Sequence, residues 1–140
     1  MQNSAILYPV FALAAWTFLV LLLIPFHRVR AGLRREIRTE DFRYGESATV
    51  PGYVSIPNRN YMNLLELPIL FYVVCILFFV SGGTPALAIN VAWIYVALRV
   101  IHSIIHLSYN NVMHRLTAFA SSNVVLILLW FIAARHIIAA

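Results

Sequence analysis

The stretch RNYMNLLELP opens a strongly apolar run with three polar side chains at helical spacing. Arg59, Asn63 and Glu66 stand at i, i+4 and i+7, so a helix carries all three on one face. Ionisable groups inside a membrane span usually face the bundle interior or a water-filled cavity. Pro68 deprives the carbonyl four residues earlier of its helical partner, which predicts a kinked helix beside a polar pocket.

A second stretch, LRVIHSIIHLSYNN, repeats this arrangement in the next apolar run. Arg99, His102 and His106 stand at i, i+3 and i+7 and therefore share a helical face. Arg99 lies about 16 Å from the helix end near Asn110 at the usual helical rise, too deep to reach the headgroups readily. If the two runs form an antiparallel hairpin, we expect Glu66 to meet Arg99 or His102.

The charges of these residues predict a site for an anion. Glu66 offsets one positive charge, whereas Arg59, Arg99 and Arg115 supply three. A pocket with this balance keeps a positive field and attracts anions. Arginine also suits bidentate capture of carboxylates.

A metal site at His102 and His106 is the weaker interpretation. Their i, i+4 spacing suits a shared metal ion, but His114 is the one further ligand at hand and Arg99 is adjacent. We therefore predict no metal at this site. Histidines of this kind more commonly form hydrogen bonds within the helix bundle.

The elements that position these side chains are membrane helices. The chain has 140 residues, of which 62% are hydrophobic and 11% charged, and its mean hydropathy is +0.84. These values exclude an ordinary soluble domain. Four apolar runs, near residues 5–26, 60–81, 85–108 and 115–138, have the length of membrane spans. We predict an all-α, integral membrane four-helix bundle that forms a single domain over residues 1–140.

The arginines indicate how this bundle is oriented. The chain has ten arginines and no lysine; the first and third connections carry arginine, whereas the second carries no charge. The positive-inside rule places connections one and three in the cytoplasm and both termini on the other side, with Arg135 dissenting. This explanation of the basic first connection is favoured over nucleic-acid binding, and anionic lipid headgroups are compatible with it. We expect a bacterial inner membrane as the location.

The four spans, the basic first connection and the two polar stretches resemble the MAPEG family, the membrane-associated proteins in eicosanoid and glutathione metabolism. The resemblance covers essentially the whole chain. Its specific part is the pattern of Arg59, Asn63 and Glu66 followed by Arg99 and His102 and then by Arg115.

This resemblance implies a homotrimer that binds glutathione between protomers near the cytoplasmic face. A lipophilic second substrate would arrive from the membrane. The matching positions place six residues around glutathione: Arg59, Asn63, Glu66, Arg99, His102 and Arg115. The arginines would hold its two carboxylates and Glu66 its ammonium group. Arg99 and His106 are the expected catalytic residues, because both could stabilise the thiolate that attacks the electrophile.

Three positions depart from the pattern of the mammalian eicosanoid enzymes. His106 stands where those enzymes have a tyrosine, Met62 where they have an arginine before the asparagine, and Asn111 where they have a second loop arginine. Each change weakens glutathione binding or thiolate stabilisation. The expected activity is that of a glutathione transferase or peroxidase. Two alternatives remain: a non-catalytic protein that binds lipid or stabilises a larger membrane complex, and a histidine-ligated metal or haem protein.

Overall fold

The computed structural model describes residues 3–138, which form five α-helices and no β-strand. The helices are α1 (Leu7–Leu33), α2 (Gly52–Leu65), α3 (Pro68–Val80), α4 (Ala86–Leu107) and α5 (Val112–Ile138). Helices α2 and α3 follow each other as one segment, so the described chain has four helical segments long and apolar enough to cross a membrane. The predicted all-α, membrane-spanning fold is confirmed.

Pro68 divides the second span, as its position in the sequence predicts. Helix α2 ends at Leu65, Glu66 has ψ −94°, and α3 begins with Pro68 at its first turn. A proline in the first turn of a helix costs no hydrogen bond, because the N–H groups of that turn have no partner within the helix. The break therefore leaves carbonyl groups at the end of α2 available to side chains from other helices.

The first connection is shorter than the sequence predicts. The turn-rich sequence indicates a connection over residues 27–58, but α1 continues to Leu33 and α2 already begins at Gly52. The reason is a small second core at this end of the bundle, which apolar periodicity does not show. Its buried members are Ala31, Val50 and Val54, with Ile37 and Phe42 packed against them.

Polar contacts reinforce this small core. The guanidinium of Arg28 lies 3.2 Å from Glu46 and its carbon lies 4.5 Å from the centre of the Phe42 ring. The hydroxyl of Tyr53 donates a hydrogen bond to Glu36. Residues 34–51 thus form a folded cap that holds the adjoining ends of α1 and α2 together.

Helix α4 occupies the centre of the bundle and contacts α1, α2 and α5. Tyr95 of α4 stacks on Phe71 of α3 with ring centres 4.6 Å apart, and both rings are fully buried. The outer faces of the spans are lined with exposed large apolar side chains, such as Phe18 and Ile127. This pattern suits a bundle surrounded by lipid.

A buried hydrogen bond joins α2 to α4. The Asn60 side-chain nitrogen donates to the Ser103 hydroxyl, and both residues are fully buried. Sequence reasoning passes over both residues, although Ser103 shares the buried face of α4 with Arg99 and His106.

We expect Asn60→Ala to lower the free energy of unfolding by roughly 0.6 to 2 kcal/mol, the range measured for hydrogen bonds between membrane helices. The loss leaves the Ser103 hydroxyl without its partner. Thermal unfolding in detergent measures the effect. Asn58→Ala is the matched control, because Asn58 is only half buried and makes no side-chain hydrogen bond within residues 3–138. Equal destabilisation by the two variants contradicts the prediction.

Candidate functional site

A polar cavity lies where α2 and α4 meet the start of α5. It has a volume of about 220 Å³. Its polar lining consists of Asn63, His102 and Arg115, three of the residues that the sequence proposes as a site, and its apolar lining consists of Val112, Leu116 and Phe119. The cavity therefore combines a guanidinium and an imidazole with an aromatic wall.

The turn before α5 determines where Arg115 lies. Asn111 accepts hydrogen bonds from the backbone N–H groups of Met113 and His114 through its side-chain oxygen, at 3.0 and 3.1 Å. It thus caps the first turn of α5. Asn110 has φ +49°, and its side-chain oxygen accepts a 2.8 Å hydrogen bond from Arg115. The two asparagines start the helix and fix the guanidinium beside the cavity.

Arg99 is completely buried, and its partner is a backbone carbonyl. Its Nη2 donates a 2.8 Å hydrogen bond to the carbonyl oxygen of Asn63, near the end of α2. Its Nε and Nη1 are buried with no hydrogen-bond partner within residues 3–138. The guanidinium also lies 5.4 Å from the centre of the Phe119 ring. Arg99 therefore lies behind the cavity wall and does not line the cavity itself.

The expected contact of Glu66 with Arg99 does not occur in the described protomer. Glu66 is exposed at the helix break, and its carboxylate lies outside salt-bridge distance of Arg99. The reason is the orientation of α2, which turns Asn60 and Leu64 into the bundle. The stripe that contains Arg59 and Glu66 consequently lies on the outer surface.

The two histidines lie next to each other on the buried face of α4. Their ring centres are 5.9 Å apart, and the His102 ring lies 5.8 Å from that of Phe119. His106 does not line the cavity, and its Nδ1 is buried without a hydrogen-bond partner in the described residues. Arg59 and Arg115 both lie within electrostatic range of His106. Arg59 and Arg115 thus lie near the same histidine, and Glu66 lies within electrostatic range of Arg99.

Comparison with known proteins identifies the family to which this chain belongs. The model of the MAPEG family matches residues 6–135, which is nearly the whole chain. The chain belongs to the MAPEG family. Neither the search of curated proteins nor the search of solved structures gives a match. MAPEG members include glutathione transferases and commonly use glutathione.

In this MAPEG protein the predicted site residues fall into three groups. Asn63, His102 and Arg115 line the cavity. Arg99 and His106 are buried near it, and Arg59 and Glu66 are exposed beside it. Phe119, which sequence reasoning missed, lies one turn beyond Arg115 on α5, so its spacing from that arginine could have indicated its place.

A second, more apolar crevice lies on the same side of α5. It has a volume of about 270 Å³ and opens between α3 and α5. Leu67 and Asn123 line it, and each stands one helical turn beyond a residue of the polar cavity, Asn63 and Phe119 respectively. Two of the side chains that line it, Leu70 and Ile127, are exposed and apolar. The two openings therefore follow one another along the groove between α5 and the broken second span.

Within residues 3–138, no three side chains of His, Cys, Asp or Glu approach closely enough to hold a metal ion. Arg99 and Arg115 lie within electrostatic range of His102, and Arg59 and Arg115 within that of His106.

Proposed function

We propose that this MAPEG protein is a membrane-bound glutathione transferase or peroxidase that acts on lipophilic electrophiles. The observation that carries the proposal is the excess of positive charge around the polar cavity. Arg115 and Arg99 both lie within electrostatic range of His102, and neither has a carboxylate within salt-bridge distance in the described residues. An anion such as glutathione would supply the missing negative charge.

Glutathione would present two kinds of negative group to the site, its carboxylates and its thiolate. Arg115 is held in position by Asn110 and is presented to the cavity, so it is suited to contact an anionic group directly. Arg99 acts from behind the wall, where it positions the carbonyl of Asn63 and adds positive charge. His106 has an unpartnered ring nitrogen, which would be available to donate to a thiolate after a small movement.

The exposed stripe of α2 supports binding between protomers. Arg59 and Glu66 carry opposite charges and are both exposed, and they stand four residues before and three residues after Asn63, which lines the cavity. Met62 and Leu65 between them are exposed apolar side chains. A homotrimer would cover this surface and bring the two charged groups to a glutathione molecule bound at the junction. Glu66 would then pair with its ammonium group and Arg59 with a carboxylate.

The apolar crevice between α3 and α5 supports a lipophilic second substrate. Such a substrate could enter from the bilayer and present its reactive atom to the polar cavity. In conjugation the thiolate sulfur forms the new bond to carbon, and the leaving group departs with the bonding electron pair. In peroxide reduction the thiolate sulfur attacks the terminal peroxide oxygen, the O–O bond breaks, and the alkoxide leaves and takes up a proton, which gives a sulfenic acid and an alcohol. The thiol of a second glutathione then attacks the sulfenic sulfur, and water leaves as the disulfide forms.

Charge distribution supports the proposed location. The end of the bundle that carries the cavity also carries the cap of residues 34–51 with its exposed arginines. By the positive-inside rule this end faces the cytoplasm, where glutathione is available, and the chain termini lie on the other side. The proposed membrane is a bacterial inner membrane.

A second candidate is a non-catalytic MAPEG-like protein that binds lipid or stabilises a larger membrane complex. The hydrogen bond from Arg99 to the Asn63 carbonyl favours it, because this bond ties α4 to α2 and gives the arginine a structural role. The position of Arg99 and His106 behind the cavity favours it as well. This candidate requires no thiol chemistry.

Glutathione binding in detergent tests the two candidates directly. The purified protein is titrated with glutathione, and the ultraviolet difference band of the thiolate is recorded across pH. We expect a saturable band at a pH where free glutathione is still a thiol, because the cationic cavity stabilises the thiolate. If millimolar glutathione produces no band and no binding, the transferase proposal is wrong and the non-catalytic candidate stands.

A further inference from the structure

The opposite end of the bundle has a groove that the proposed reaction does not use. It lies between the first turn of α4 and the last turns of α5 and has a volume of about 450 Å³. Leu87, Leu128 and Phe131 form its apolar wall, and all three are exposed in the described protomer. Arg135 and His136 close the groove at its outer end. The groove is thus apolar along its length and cationic at one end.

Arg135 has no acidic partner within residues 3–138. It is exposed in the last turn of α5, and within residues 3–138 no carboxylate lies within salt-bridge distance of it. All five acidic residues of the chain fall between positions 36 and 66, and the acids of the cap belong to the other end of the bundle. No acidic side chain of the described residues neutralises Arg135, so its guanidinium is available to an anion from the surroundings.

The length of α5 fixes the depth of this cation in the membrane. Arg135 follows Arg115 by a helical distance of about 30 Å at 1.5 Å per residue. This distance equals the usual thickness of the hydrocarbon core, about 30 Å. If Arg115 lies at one interface, Arg135 lies at the headgroup level of the other leaflet. The apolar groove then extends from that level into the hydrocarbon.

His136 is packed against its neighbours, and the start of α4 adds positive potential at this end of the groove. The ring centres of His136 and Phe78 are 6.1 Å apart. The His136 ring also packs closely against Gly83, because a β-carbon added at Gly83 would lie 3.4 Å from its Nε2. Helix α4 begins at Ala86, directly after Pro85, so its free amide groups and the positive end of its dipole face this end of the groove.

We propose that this groove binds an anionic phospholipid of the leaflet opposite the cavity, with one acyl chain along the apolar wall and the phosphate on Arg135. A phospholipid fits because its acyl chain extends into the hydrocarbon core while its phosphate lies at the headgroup level. The arrangement also explains why an arginine occurs at the arginine-poor end of the protein, against the trend of the connections.

Native mass spectrometry of the full-length protein in detergent tests this site. The delipidated protein is incubated with dioleoylphosphatidylglycerol or with dioleoylphosphatidylcholine, and the retained lipid is counted. We expect the wild-type protein to retain phosphatidylglycerol about tenfold better, a preference equivalent to one charge-assisted contact. Arg135→Gln should remove this preference, whereas Arg43→Gln, in the cap at the other end, should leave it unchanged.

A second variant tests the apolar wall. Leu128→Trp should fill part of the groove and lower the retention of both lipids while the oligomeric state stays the same. The proposal is overturned if Arg135→Gln keeps the preference for phosphatidylglycerol, or if Arg43→Gln loses it equally, since the charge effect is then general. It is also overturned if Arg135→Gln and Leu128→Trp change the oligomeric state and leave lipid retention unaltered, because a second protein copy then occupies the groove.

Discussion

Replacing Arg115 with glutamine is expected to lower glutathione-dependent turnover by about 10²- to 10³-fold. This is the usual effect of removing one preorganised hydrogen-bond donor that stabilises a developing negative charge. Arg115 is the arginine that the polar cavity exposes, and Asn110 holds it in place. Glutamine retains much of the length and polarity but removes the charge. The thiolate band of bound glutathione should fall together with turnover, because both depend on stabilising the same negative charge.

Two controls make this result specific. Arg43→Gln removes an exposed arginine of the cap, whose guanidinium lies against the Tyr44 ring, and should leave turnover unchanged. Arg115→Lys keeps the charge and should recover part of the activity, though less than arginine because a planar donor pair is lost. Unaltered turnover in Arg115→Gln would remove this residue from the mechanism.

Replacing Arg99 with methionine is expected to lower turnover by about 10²-fold through the loss of a nearby positive charge without destabilising the protein. The guanidinium is completely buried, and two of its nitrogens have no partner in the described residues. Exchange of buried charged groups for apolar ones of similar volume is often neutral or stabilising, by about 1 to 4 kcal/mol. The lost hydrogen bond to the Asn63 carbonyl opposes this gain, so we expect an unfolding temperature that does not fall.

This variant also separates the two candidate functions. In the transferase, Arg99→Met loses thiolate stabilisation but keeps its fold and its assembly. In a non-catalytic protein, glutathione gives no thiolate band in the wild type, so Arg99→Met has no band to lose. Thermal unfolding and the glutathione thiolate band, measured on the same preparation, give the answer. A large loss of stability with an unchanged band would contradict the role in glutathione binding.

The membrane-spanning fold and the family follow from the sequence because both depend on local patterns. Long apolar runs define helices in lipid, and the proline at position 68 stops a helix whatever its neighbours are. The break between α2 and α3 therefore occurs where the sequence places it. The spacing of Arg99, His102 and His106 likewise identifies one face of α4, and that face is buried as predicted.

The partners of these side chains could not be predicted in the same way. Periodicity shows which residues share a face but does not show how far a helix rotates against its neighbour. Helix α2 turns Asn60 inward rather than Arg59, and this difference of one residue moves Glu66 to the surface. The partner of Arg99 is a backbone carbonyl, which no side-chain pattern reveals.

The asparagine that departs from the family pattern has a structural explanation that residue types alone do not provide. The resemblance to the mammalian eicosanoid enzymes implies an arginine at position 111, whereas in this chain the Asn111 side chain caps the first turn of α5. Capping depends on the local geometry of the turn, which is visible only once the start of the helix is known. The loss of one cation is thus accompanied by firmer positioning of Arg115.

The hydrogen bond between Arg99 and the Asn63 carbonyl has a consequence for biogenesis. A helix that enters the bilayer alone with an arginine near its centre is penalised by about 2.5 to 3.5 kcal/mol on insertion scales. The acceptor for Arg99 is the carbonyl of Asn63 in the last turn of α2, and α2 is synthesised before α4. Helix α4 therefore inserts most readily when the broken second span is already in the membrane and offers its carbonyl. Because α2 precedes α4 in the chain, the carbonyl acceptor can enter the membrane before the arginine that it binds.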